Sequence, residues 1–222
     1  MAMPWARVNE PQPREYQAAG VRVRTGIRLC GMVACFMSSP MVAHAAWKAV
    51  EKVETYPVAG LSGPDLYASI GERGPKIGIA RAIAHTTFTL TWSRKYETQG
   101  GACVLVAAQP KLTITYTLPK PSRQLPAKIA KHWETFVAGL HAHERVHGDM
   151  IKDMVRQIEA STVGLSVAGD PDCRKIKTEM TKRLSGLSLA QRARSRDFDQ
   201  IEMSDGGNIH QLILALVNGA LQ

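Results

Sequence analysis

Several things are scarce in this 222-residue chain, and each absence narrows the reading. The predominantly apolar, uncharged stretch Leu29 to Val42 falls short of the ~20 residues a helix needs to cross a bilayer, so the sequence offers no membrane span. Aromatic residues make up only 6% and are not interleaved with basic ones, which argues against a nucleic-acid surface despite the basic balance. There is no internal repeat, no low-complexity block and no sign of a second domain. Cysteine is limited to four residues, Cys30, Cys35, Cys103 and Cys173.

What is present begins with an export signal. Arg22, Arg24 and Arg28 precede the apolar stretch, and Ala43-His44-Ala45 forms an A-x-A cleavage site ahead of Ala46. Cleavage after Ala45 leaves residues 46–222 as one domain, large enough for a real core. Lipoprotein processing at Cys35 is the alternative, weakened by Arg28, which shortens the apolar run before it. The mature chain would keep 23 of the 28 basic and 17 of the 19 acidic residues, a net charge of about +6. That charge permits peripheral association with anionic envelope polymers or head groups. Only Cys103 and Cys173 would remain. In an oxidising compartment the pair reads as one disulfide; in a reducing one, as two thiols, and a thiolate metal ligand is a further reading.

The most specific motif is H-E-x-x-H, His143-Glu144-Arg145-Val146-His147. It lies inside a helical pattern from Pro126 toward Gly164 whose apolar seam runs Ile129, Trp133, Phe136, Val137, Leu140, then Ile151, Met154, Val155 and Ile158. Residues four apart share a helix face, so both imidazoles fall on this seam and can close on one ion. A lone histidine there would read as a core residue. Two of them with a carboxylate between would cost several kcal/mol if buried without partners, and a metal removes most of that cost. Zn2+ is the expected cofactor, because imidazole suits it and it has no redox chemistry.

Ahead of the helix the period changes from three-to-four to two. Phe88, Leu90 and Trp92 alternate with threonines, as do Leu112, Ile114, Tyr116 and Leu118. Cys103 to Ala108 reads as a shorter strand joined to the latter through Gln109-Pro110. Another strand is expected near Lys52 to Val58, and a brief helix around Asp65 to Ile70. Arg174 to Leu184 and Leu189 to Met203 read as further helices, Ile209 to Leu221 as a short packed helix or a tail, and Arg192, Arg194 and Arg196 as a solvated helix face. The fold class expected is α+β: an antiparallel sheet, then a long HExxH-bearing helix and C-terminal helices.

Between Tyr56 and Asp205 the order of landmarks resembles a bacterial domain of unknown function described as predicted secreted zinc-dependent proteases. They are Thr87 with Thr89-Leu90-Thr91-Trp92, Gly100-Gly101-Ala102-Cys103, Ile114 to Pro119, Trp133, Phe136, His143-Glu144, His147 and Cys173. The resemblance implies an exported metal-dependent peptidase acting on proteins or peptides. That pattern also carries a Tyr-Asp pair followed by Thr-x-His-Gly. Here Phe198-Asp199 fits the pair, but the histidine position falls near Ser204.

The third metal ligand is therefore open among His210, Asp199 and Glu202, with His210 preferred. Asp153 is excluded: the glycine turn such a ligand needs is replaced by Met150, and a continuous helix carries Asp153 about 15 Å along the axis from His143. Glu144 is the expected general base toward a zinc-bound water. Tyr96, Tyr116 and His132 are candidates for oxyanion donor, and a sheet edge beside the cleft would accept an extended peptide as an added strand. The competing class is a non-catalytic envelope protein that keeps the zinc helix for structure or partner binding. A third, an amidase acting on cell-wall peptides, shares the same chemistry.

Overall fold

The change of period from two to 3.6 marks where sheet gives way to helix. In the computed structural model, which describes residues 47–219, β1 (Val50–Val58) is followed by α1 (Gly63–Arg73) and a small hairpin, β2 (Lys76–Ile77) with β3 (Ala80–Arg81). Then come the long strands β4 (His85–Gln99) and β5 (Ala102–Pro121), α2 (Ala127–Thr162), β6 (Ser166–Ala168), α3 (Lys175–Met203) and α4 (Asn208–Asn218). The fold is α+β, as expected. The signal segment, its cleavage after Ala45 and the alternative at Cys35 lie outside the described residues.

The sheet is mixed rather than purely antiparallel. Its order is β1-β5-β4, with β4 antiparallel to β5, and β1 parallel to β5 from Val50↔Thr113 to Val58↔Pro121. Period-two alternation reports which face a residue takes but not which way its neighbour runs. Only the route of the chain decides that: after β1 it crosses through α1 and the hairpin to the far edge, and β5 then enters between. β4 is left as the edge strand.

Cys103 to Pro121 is one strand, not two. A bulge opposite Lys95 and Tyr96, where Ala107 and Leu105 are the paired residues, makes Val106 the extra residue. It reverses the inward phase, so Cys103 and Leu105 are buried before it and Ala108, Leu112, Ile114, Tyr116 and Leu118 after it. That slip is why the sequence reads as apolar on both sides there. Pro110 is tolerated because on the side away from β4, β6 covers only Ala102 to Val104 and β1 begins only at Thr113.

α2 runs 36 residues across this sheet, and its predicted seam is the face it buries. Two clusters divide along it. One gathers Val58, Leu66, Leu118, Trp133, Phe136 and Leu140 with Ile209 and Leu216 of α4; the other joins Ile151, Met154, Val155 and Ile158 to Leu112, Ile114 and Tyr116. His143 and His147 occupy the stretch between. The helix comes close to the sheet at Gly148, where a Cβ would stand 2.2 Å from the Tyr116 hydroxyl, so the residue after His147 has no room for a side chain.

α3 is continuous where the sequence suggests a break near Gly186. A single interior glycine costs about 1 kcal/mol relative to alanine, and Leu184 and Leu187 on either side pack against the core. Its N-terminus is capped by buried Asp170, whose carboxylate accepts from the backbone N–H groups of Arg174, Lys175 and Ile176 at 2.8–3.0 Å. Just before it, Cys173 is bonded to Cys103 of β5 with Cα atoms 5.2 Å apart, closing a span of 70 residues. A disulfide points to an oxidising compartment outside the cytoplasm. Among the described residues no helix is long and apolar enough to cross a membrane.

Candidate metal centre

The residues between the two clusters on α2 meet the middle of α3. His143 and His147, one turn apart, direct Nε2 atoms to within 3.1 Å of each other, and Asp199 Oδ1 from α3 lies 3.1 Å from the first and 2.8 Å from the second. The imidazoles are buried, 8% and 9% exposed, whereas the Asp199 side chain is 51% exposed. Phe198 fixes the rings from one side: it stacks on His143 with centroids 4.7 Å apart and meets His147 edge-on at 5.4 Å.

These three side chains are able to hold a metal ion. Donors around a tetrahedral zinc at ~2.0–2.1 Å stand about 3.3 Å apart, close to the edges of this triangle. The outer ring nitrogens fit as well. His147 Nδ1 is 3.2 Å from Ser195 Oγ, which accepts from Gln191 Nε2 at 2.9 Å and faces Met150 Sδ at 3.7 Å. With the hydroxyl proton toward sulfur, Ser195 takes an N–H from His147 and leaves its Nε2 lone pair for the ion. Among the described residues His143 Nδ1 has no hydrogen-bond partner but lies 3.6 Å from the Glu202 carboxylate, so its proton too belongs on the outer nitrogen. With both ring protons on the outer nitrogens, two imidazole lone pairs and a carboxylate oxygen face one another, an arrangement that a cation between them relieves.

Electrostatics favour the same ligand. Burial alone would raise the Asp199 pKa, but the two imidazoles against its carboxylate, His143 and His147, outweigh it and hold the carboxyl well below the usual carboxylate range. Burial would lower His143, and it is overcome by the bond to Asp199 with the charge of Glu144, leaving a net upward shift. The pocket is thus a place where positive charge is stabilised.

Glu144 is buried, on the same turn of α2, and takes no part in the triangle. The Thr86 hydroxyl of β4 lies 2.6 Å from Glu144 Oε2 and 3.1 Å from the Glu144 carbonyl. Both acidic and histidine groups line a cavity of about 590 Å³ whose walls are Thr86 and Phe88 of the edge strand, Arg81 and Ile77 of the hairpin, and Arg192, Arg196 and Met203 of α3.

The expected third ligand is corrected by this arrangement. His210 is not in the group; at the start of α4 its Nδ1 accepts from the Gly206 N–H at 3.2 Å and lies 3.6 Å from Asp205. Asp199 takes the place because α3 is continuous and carries Phe198-Asp199 against the α2 histidines, while Glu202, one turn on, stands behind His143. The oxyanion candidates are elsewhere too. Tyr116 donates to Glu51 Oε2 at 2.8 Å, Tyr96 faces Met180 Sδ, and His132 lies against Gly219. The three arginines split: Arg194 reaches Asp153 at 4.0 Å, whereas Arg192 and Arg196 line the cleft.

Thr86, Gln191 and Ser195 were not among the site residues read from sequence. Four-residue spacing of Gln191, Ser195 and Asp199 puts them on one face of a helix, a signal usable once Asp199 is chosen. Nothing local marks Thr86, which depends on β4 lying beside α2.

No curated protein and no solved structure matches the chain. A family model, described as Bacterial protein of unknown function (DUF922), does match it over residues 53–207. That stretch holds β4, β5, α2 and Asp199 of α3, so the chain belongs to this bacterial family of unknown function.

Proposed function

We propose that this protein is an exported, zinc-dependent hydrolase of peptide bonds in proteins or peptides, acting in the periplasm or as a secreted enzyme. One observation carries the reading: His143 and His147 at the floor of a cleft converge with Asp199 from its rim, and Glu144, on the same helical turn as the histidines, stands beside them without being a ligand. A purely structural zinc site closes its coordination with four protein ligands, whereas three protein ligands beside a cleft is the catalytic pattern. When bound, zinc supplies Lewis-acid polarisation of a carbonyl and lowers the pKa of a water toward ~7.

The chain's own residues do the rest. Glu144 takes a proton from the attacking water and returns it to the leaving amine. Thr86 donates to Glu144 Oε2, so Oε1 is the oxygen left to carry that proton, and the carboxylate is held in one rotamer. Ser195 and Glu202 orient the two imidazoles from behind. Beside them the outer edge of β4, the last strand of its sheet, borders the cavity through Thr86 and Phe88 and offers unpaired backbone groups to an extended substrate. The walls, with Phe88, Leu140, Ile151 and Met203, suit apolar side chains of such a substrate.

The test is metal analysis of the purified protein together with peptide hydrolysis before and after chelation, repeated on Glu144→Gln. About one zinc per chain in both proteins, with cleavage lost on chelation and in the variant, is the expected result. Cleavage indifferent to Glu144 would remove the proposed base, and a protein with no zinc affinity would remove the reading.

A further inference from the structure

Among the described residues the arginines that form ion pairs are Arg156, Arg183 and Arg194. The three that line the cleft, Arg81, Arg192 and Arg196, form none. Arg81 and Arg192 are anchored through neutral groups: Arg81 donates to the Gly74 carbonyl at 2.7 Å, and Arg192 to the Ser188 hydroxyl at 3.1 Å. A guanidinium held in place by neutral acceptors keeps its full charge and has donors left over. Apart from the metal-binding group, Glu144 and the polar His85, Thr86, Gln191 and Ser195, the remaining lining is apolar, so the α3 side of the cleft carries two unpaired guanidinium groups, Arg192 and Arg196.

Spacing sets where that charge acts. Arg192, Arg196 and Asp199 recur at intervals of four and three on α3, which places them on one face. At 1.5 Å of rise per residue, Arg196 lies about 5 Å and Arg192 about 10 Å along the helix from Asp199. An extended chain advances ~3.3 Å per residue, so Arg196 is in register with a substrate group one to three residues from the carbonyl held at the metal, while the Arg192 guanidinium, held at Ser188 one turn further on, adds positive charge beyond it.

We propose that this wall is a carboxylate subsite, and that the cleft selects peptides with an anionic group within three residues of the bond to be cut. The carboxylate is recognised by Arg196 of α3, with Arg192 further along the helix and Arg81 of the hairpin adding positive charge to the same cleft. It is the side chain of an acidic residue or the free C-terminus of the peptide; both present the same planar anion to a guanidinium. The inference rests on the peptidase reading for its register, yet it concerns binding and is testable without turnover.

The experiment uses the zinc-loaded Glu144→Gln protein and fluorescein-labelled, alanine-rich peptides with a central Phe-Leu pair. Glu, Gln or Lys is placed one to three residues from that pair, and each peptide is made as the free acid and as the C-terminal amide. Fluorescence anisotropy should show about tenfold tighter binding of Glu than of Gln at low salt, with Lys weakest, and the ratio should shrink as salt is raised. A Glu-over-Gln preference retained in the amides identifies a side-chain carboxylate; free acids binding tighter than their amides whichever residue is present identifies a chain terminus. The double substitution Arg192→Gln with Arg196→Gln should bring the Glu-to-Gln ratio close to one. Arg194→Gln, whose residue pairs with Asp153 outside the cleft, should leave it intact. Zinc content and melting temperature of each variant report on folding. Equal affinities for Glu, Gln and Lys together with equal affinities for free acid and amide, no binding by any peptide, or a preference that survives the double substitution would overturn the subsite. Failure of the wild-type protein to cleave any peptide, with the ratio intact, would instead remove the peptidase reading and leave the subsite standing.

Discussion

The floor and the rim of the cleft are built differently. His143, Glu144 and His147 lie on a single turn of α2, all below 10% exposed, with a hydrophobic cluster on either side. Asp199, Arg192 and Arg196 come from α3, on a face where the Asp199 side chain is half exposed and the arginines reach solvent. The floor is therefore rigid because the core is, whereas the rim depends on how α3 docks. A division of this kind keeps the reacting groups fixed while leaving the specificity wall adjustable.

Substitutions can break that division or sharpen it. The largest effect is expected at the floor: Glu144→Gln should lower peptide turnover by about 10²–10⁴-fold, the range for losing a general base, with zinc content unchanged. Loss of the Cys103–Cys173 bond comes next. It ties β5 to the start of α3 across 70 residues, and the chain-entropy model assigns about 4 kcal/mol to such a loop. Urea unfolding with and without reductant should show that loss, and zinc affinity should fall with it because α3 carries Asp199.

Within the metal group, Asp199→Ala should weaken zinc binding by more than about 100-fold in a competition titration, since two ligands hold the ion poorly. His210→Ala should leave binding near the wild-type value; a reversed outcome would restore His210 as the ligand. Ser195→Ala removes the acceptor behind His147 and is expected to cost 10–100-fold in zinc affinity, without the loss of folding that a core defect would bring.

The smallest effect concerns acid stability on the far side of α2. The Glu51 pKa is lowered, first by the Lys152 ammonium and then by the Tyr116 hydroxyl, so the folded state prefers the ionised form. Its contribution is present above the unfolded carboxylate pKa and is lost as pH falls through the lower folded value. Because Glu51 is partly exposed and screened, Glu51→Gln should only slightly reduce the fall in melting temperature between about pH 5 and pH 3. An unchanged acid limb would show that this ion pair contributes nothing measurable.

Much of the fold is legible in the residues themselves. The seam from Ile129 to Ile158 gives α2 almost to its ends, and threonine alternation gives β4 and most of β5. What resists reading is whatever needs a partner to be meaningful. Val106 is an unremarkable valine until its strand pairs with Lys95 and Tyr96 across a bulge. Gly186 suggests a helix break that packing of Leu184 and Leu187 overrides. Tyr116 offers a hydroxyl near the motif in sequence order, but the sheet turns it toward Glu51 and Lys152.

The sequence by itself determined the two imidazoles and the carboxylate between them, because helical spacing is a local property that three and four residues suffice to state. It also supplied the two cysteines and the alternation that makes the sheet. Which residue completes the metal group, which threonine holds Glu144, and which arginines face the cleft rather than solvent were decided only when α3 and β4 came to lie on either side of α2. Those contacts join residues about 50 or more positions apart, and the angle at which elements pack is set by side-chain volumes across the whole core, not by any pattern within one element.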